Sequence, residues 1–140
     1  MPGAMTRSTC RGLVFLLLLV ACDKTRSPRS VSQEFIDRYY IERDHRRALE
    51  LAEGGAAERV KSEQRLLDGM SLAGYTGVLP RVFYNFQKQE PRGDRTELTY
   101  NLTIDSSGVE LKKQVLITVA RFGQKYKVTF FSERDLPSRR

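Results

Sequence analysis

The pattern of apolar and polar positions passes through three regimes: an unbroken apolar run, then helical spacing, then strict alternation. Leu13 to Ala21 are nine consecutive apolar residues ending at Cys22. Ser30 and Gln33 form a capping box, in which the hydroxyl accepts from the third helical amide and the glutamine reaches back, so a helix is expected from Val31. Val31, Phe35 and Tyr39 then recur at intervals of four with Ile36 and Tyr40 beside them, while Glu34, Asp37 and Arg38 occupy the other side. Such a stripe needs a surface to cover it. Asp44 is placed to cap a second helix carrying Ala48, Leu49, Leu51 and Ala52, which Gly54-Gly55 stops. A third helix is expected from Ala56 to Asp68, with Val60 and Leu67 on its buried side and Gly69 at its end.

Beyond a glycine-bearing loop at 72–80 the period drops from about 3.6 residues to about 2, which marks sheet. Four strands are expected, at 81–89, 96–105, 109–121 and 125–132. Val82, Tyr84 and Phe86 share one face of the first. In the second, Leu98, Tyr100, Leu102 and Ile104 alternate with Glu97, Thr99, Asn101 and Thr103. The third holds Val109, Leu111, Val115, Ile117 and Val119 in register, and the fourth Tyr126, Val128 and Phe130. Alternation this regular predicts an antiparallel sheet with one covered face. The fold class is α+β, with N-terminal helices packed on a four-stranded antiparallel meander.

That order, the aromatic stripe and the late strand Tyr126-Lys127-Val128-Thr129-Phe130 resemble the ketosteroid isomerase-like, or nuclear transport factor-like, α+β roll. The resemblance covers Ser30 to Glu133; a cystatin-like helix laid across a curved sheet is the near alternative. It implies a conical pocket between helices and sheet, where enzyme members keep a carboxylate base and a hydrogen-bond donor such as tyrosine.

Residues 1–12 add Arg7 and Arg11 and no acid to the apolar run, which is the layout of an export signal. A run of nine is far short of the roughly 20 apolar residues that a membrane-spanning helix needs. Leu19-Val20-Ala21-Cys22 resembles the lipobox of bacterial lipoproteins. The resemblance implies that the Cys22 thiol takes a diacylglyceryl group and that the chain is cut after Ala21. Residues 1–21 are then a signal peptide, 22–30 the lipidated cysteine and tether, 31–133 the domain and 134–140 a tail. The expected location is the bacterial cell envelope, outside the cytoplasm, on an inner or outer membrane; Asp23 resembles the inner-membrane retention signal of enterobacteria. Two or three acyl chains would make the attachment effectively permanent.

The formal charge of +7 falls to +5 once Arg7 and Arg11 leave with the leader. That balance favours anionic partners without choosing among them, and an exported protein gives no expectation of nucleic acid. Cys10 and Cys22 both precede the domain, so neither a disulfide nor a thiolate metal site is expected inside it. No cofactor is expected either.

Tyr39, Tyr84 and Tyr100 are the candidate pocket donors, with Tyr40 beside them. No carboxylate is expected inside, since Glu97, Asp105 and Glu110 fall on the opposite face, and proton abstraction then has no base. The expectation is a non-enzymatic binding domain, for an envelope protein or an anionic envelope component, with a small pocket enzyme as the rival. Lys113 holds an inward position between Leu111 and Val115, which suggests a pocket mouth, a bulge, or a charge guarding an edge strand. His45, alone among Arg43, Arg46 and Arg47, reads as a solvated helix-start residue. With Arg59, Lys61 and Arg65 that run is a candidate anion face. Arg92-Gly93-Asp94 reads as an ordinary turn and Asn101-Leu102-Thr103 as mid-strand. The open sheet face is a candidate for pairing with a second copy.

Overall fold

The computed structural model describes residues 26–70 and 79–137. The leader, Leu19, Val20, Ala21 and Cys22 lie outside the described residues, as does most of the loop expected at 72–80. Helix α1 spans Pro28–Ile36 and starts earlier than expected, because Ser27 rather than Ser30 is the cap. The Ser27 hydroxyl accepts from the Ser30 amide at 3.1 Å. Pro28 fits the first turn, where its missing N–H costs nothing. A π-helical turn, Asp37–Ile41, continues the helix and widens it. Helix α2, His45–Glu50, is capped by Asp44, whose carboxylate accepts from the Arg47 amide at 3.0 Å. Helix α3 is Gly54–Gly69. It buries Ala56, Ala57 and Val60, whereas Leu67, expected inside, is 42% exposed and borders an open cleft with Glu42 and His45.

Strands β1 (Arg81–Arg92), β2 (Arg95–Ser106), β3 (Val109–Phe122) and β4 (Lys125–Asp135) form one sheet in sequence order, each antiparallel to the next. Two-residue turns join them. At Ser107-Gly108 both residues have positive φ, +53° and +83°, as the tightest hairpin turns demand. Tyr84, Tyr100 and Leu102 face inward with Val115, Ile117 and Phe131. The α1 stripe, Val31, Phe35, Ile36 and Tyr39, covers this face as expected.

Two β-bulges interrupt simple alternation: Phe86 pairs with Tyr100 but Lys88 with Thr99, leaving Gln87 as an extra residue in β1, and a second lies in β4. Thr118 pairs with Phe130 but Val119 pairs with Val128, leaving Thr129 as the extra residue of a β-bulge. The bulge flips the parity of the strand: Phe131 is buried at 2% exposure and Phe130, expected inside with Val128, is 52% exposed. Val109 and Leu111 lie on the inward face by register yet are exposed among the described residues. The segment between α2 and α3 clasps β4 through a parallel bridge: the Val128 amide donates to Leu51 O and the Glu53 amide to Val128 O, both at 2.8 Å. Every residue of the described core falls between Val31 and Phe131.

Candidate functional site

Because β4 runs on to Asp135, Glu133 pairs with Val115 and stands on the inward face one step beyond Phe131. This corrects the expectation of an interior without a carboxylate, which followed from ending the strand at residue 132. Glu133 is tied on three sides. Its Oε1 accepts from the Tyr40 hydroxyl at 2.8 Å and from Arg59 Nη2 at 3.1 Å, and its Oε2 accepts from Lys113 Nζ at 3.1 Å.

Arg59 extends the network from α3. Its Nε donates to Glu63 Oε1 at 3.1 Å and its Nη1 to the Phe131 carbonyl at 3.2 Å, while the guanidinium sits 4.2 Å over the Phe131 ring. Glu63 in turn accepts from the Tyr39 hydroxyl. The π turn sets consecutive tyrosines on different carboxylates, with their rings edge to face at 4.7 Å. Two carboxylates thus meet two cations and two phenols, a balanced set in a half-buried place. Burial pushes the Glu133 carboxyl up, but Tyr40, Lys113 and Arg59 outweigh it and leave it below the ordinary carboxylate range. Burial and the adjoining carboxylates push the phenols of Tyr39 and Tyr40 well above the usual tyrosine value.

Tyr84 and Tyr100 belong to a separate group. Their rings meet edge to face at 5.8 Å, and Phe86 packs on Tyr100 at 5.6 Å. The Tyr100 hydroxyl is 2.5 Å from Ser32 Oγ, fully inside the core. Burial, and then the nearby Asp37 carboxylate, push the Tyr84 phenol up to about 12. Of the expected pocket residues, then, Tyr39 and Lys113 are brought together through Glu63, Arg59 and Glu133, whereas Tyr84 and Tyr100 form their own aromatic pair.

Three further expectations change. Lys113 guards no sheet edge, since β3 lies between β2 and β4; its charge is met across the strands by Glu133 and, at 3.9 Å, Asp135. His45 is not a solvated residue: its side chain is only 13% exposed, its ring meets Tyr39 edge-on at 5.3 Å, and Nε2 is 3.9 Å from Glu63. The basic run does not form one face. Arg59 turns to the inner network, Lys61 pairs with Glu58 at 3.2 Å, Arg43 and Arg46 border the cleft beside Leu67, and Arg47 faces another cleft. Among the described residues no buried polar side-chain atom lacks a partner, and no three metal-ligating side chains converge.

No protein-family model and no curated protein matches the sequence. Among solved structures, one from Thiobacillus denitrificans, described as a calcium/calmodulin-dependent protein kinase type II association domain, superposes with a TM-score of 0.59 at 8% identity. It covers 79% of this chain and 96% of that one. A protein called "Rd1NTF2_04 with long sheet" gives 0.53 at 15% identity, over 77% of this chain and 100% of its own. The fold is the nuclear transport factor-like α+β roll. A SEC-C motif protein from Rhodopseudomonas palustris shares it too, with a TM-score of 0.55 at 8% identity over 77% of this chain and 79% of that one. At such identities the roll alone is shared.

Within the roll, sequence reasoning missed Glu133 and Glu63, and set Arg59 on an outer anion face rather than in the inner network. One signal was available: an inward lysine requires a counter-charge on a neighbouring strand, and Glu133 is the carboxylate that the third and fourth strands bring to it.

Proposed function

We propose that this chain is an envelope lipoprotein, held on a membrane by Cys22, whose roll binds a partner and catalyses nothing. The observation that carries the second half is the state of Glu133. A general base inside a pocket needs a carboxyl raised toward neutrality and free to take a proton. Glu133 is lowered instead, with both oxygens committed to Tyr40, Arg59 and Lys113. Tyr39 and Tyr40 remain protonated donors at any physiological pH. Such a network fixes shape and charge at the inner end of α3 and β4, which suits recognition.

The first half rests on the leader pattern and on distance. Pro28 begins the fold six residues after Cys22, so an anchored sulfur would hold the first residue of the domain within about 20 Å even with the chain extended. Intact mass and palmitate labelling of the chain from its native membrane test this: the wild type should begin at an acylated Cys22, and Cys22→Ser should be unprocessed or free of fatty acid. Crosslinking in intact cells should capture an envelope protein or an anionic envelope component.

One observation favours the rival reading, a small pocket enzyme. Acids do stand beside phenols inside the roll, Glu63 at Tyr39 and Glu133 at Tyr40. Turnover of any compound by the purified domain, lost in a folded Glu133→Gln variant, would replace the binding role.

A further inference from the structure

The cleft that Arg47 faces opens between Arg26, the last turn of α1 with the π turn, α2, and the β3–β4 turn with the start of β4, with a volume of about 810 Å³. Five basic side chains border it, Arg26, Arg38, Arg47, Lys125 and Lys127, against two carboxylates, Glu34 and Glu50. The acids are partly spent: Glu34 pairs with Arg26 at 2.9 Å and stands 3.9 Å from Arg38. Lys127 donates to the Glu50 carbonyl and, like Lys125, has no carboxylate within 4.0 Å among the described residues. Tyr126 on the same wall packs partly against the core. Glu42 beside this cleft holds Arg38 at 2.6 Å and stands 3.9 Å from Arg47, so the cations left without a carboxylate partner among the described residues are Lys125 and Lys127, on the β4 wall; the cleft at Leu67 sets Arg43 and Arg46 among Glu42, Asp44 and Asp68.

Chain length gives the cleft a direction. Arg26 lies on its rim four residues after Cys22, a span of at most about 14 Å. A sulfur held at the level of the lipid glycerols therefore keeps this rim among the headgroups. We infer that the cleft is the face the domain turns to the bilayer, where Arg47, Lys125 and their neighbours take the phosphates of acidic lipids. The orientation rests on Cys22 being the anchored residue; the affinity does not. Basic side chains at an anionic surface each contribute about fivefold in partitioning, and an aromatic ring with a polar tip suits the headgroup level.

The test uses a chain beginning at Asp23, which retains every residue of the described core and lacks the Cys22 thiol. Flotation with phosphatidylcholine vesicles, with and without phosphatidylglycerol, is compared for three proteins. The wild type should bind only the acidic vesicles. Arg47→Gln with Lys125→Gln should weaken that binding by about tenfold or more, and Arg81→Gln with Lys112→Gln, the same charge loss at the other end of the sheet, by less than about twofold. Equal losses in both variants would mean that net charge alone acts and would overturn the cleft. Absence of binding to acidic vesicles would overturn it too. Release by inorganic phosphate at concentrations where the same amount of chloride has no effect would assign the cleft to a free anion and overturn the lipid assignment. Because no fatty chain is present, failure here leaves the lipoprotein reading standing, and failure of the Cys22 labelling leaves this binding measurable.

Discussion

Glu133 joins one phenol and two cations at the inner end of the sheet. Replacing it with glutamine leaves Arg59 and Lys113 facing each other with one neutral acceptor between them. For fully buried pairs such removal costs about 3–5 kcal/mol, and the 19% exposure of Glu133 brings the expected loss to about 2 kcal/mol in urea denaturation at neutral pH. Its carboxyl titrates lower in the fold than in the unfolded chain, where it is about 4.3. The stabilisation is thus complete above that unfolded value and is lost as pH falls through the native one. The gap in denaturation midpoint between wild type and Glu133→Gln should therefore close in acid. Tyr84 behaves in the opposite sense. Its phenol is raised to about 12, so its contribution holds below the unfolded value of about 10 and disappears as pH rises through the native one. In alkaline difference spectra, Tyr84→Phe should remove absorbance change near pH 12.

At the level of elements, β4 shows how a single extra residue decides what is inside. Phe131→Ala should cost about 3–5 kcal/mol, as for other buried phenylalanines, and Phe130→Ala less than about 0.5 kcal/mol in the same denaturant titration. Equal effects would mean that Thr129 does not bulge. The four strands and the covering stripe of α1 were legible because each strand pairs with its neighbour in sequence and one face is consistently dry. The bulge was not, since Val128-Thr129-Phe130-Phe131 lets either phenylalanine point inward and only the pairing with Thr118 and Val119 chooses. Of the site, Tyr39 and Lys113 were legible as polar groups on apolar faces. Arg59 and Glu63, four apart on a helix, look like any surface ion pair until the fold sets Glu133 and Phe131 against them. The start of α1 was misplaced by a competing serine: Ser27 and Ser30 both precede the stripe, and Pro28 decides between them.

For the molecule as a whole, the single described core, which runs from Val31 to Phe131 and joins helices to sheet, predicts that a chain beginning at Asp23 unfolds in one cooperative step. Far-ultraviolet dichroism and tyrosine fluorescence should trace coincident urea transitions; separated transitions would mean that the helices and the sheet are not one unit. Charge is distributed unevenly over this unit, with balanced pairs inside and the cations Lys125 and Lys127 without a carboxylate partner among the described residues, so a tethered copy would meet its membrane with one preferred side.

The clasp of Leu51 and Glu53 on Val128 also orders the assembly of the molecule in time. Hairpins closed by two-residue turns form within microseconds, because little loop entropy opposes them. Joining residue 52 to residue 128 requires closure of most of the domain, so it belongs among the slow steps. A nascent sheet waiting for its helices would expose Phe131 and Tyr100 to solvent, and that interval, rather than the finished roll, is when the chain is most open to aggregation.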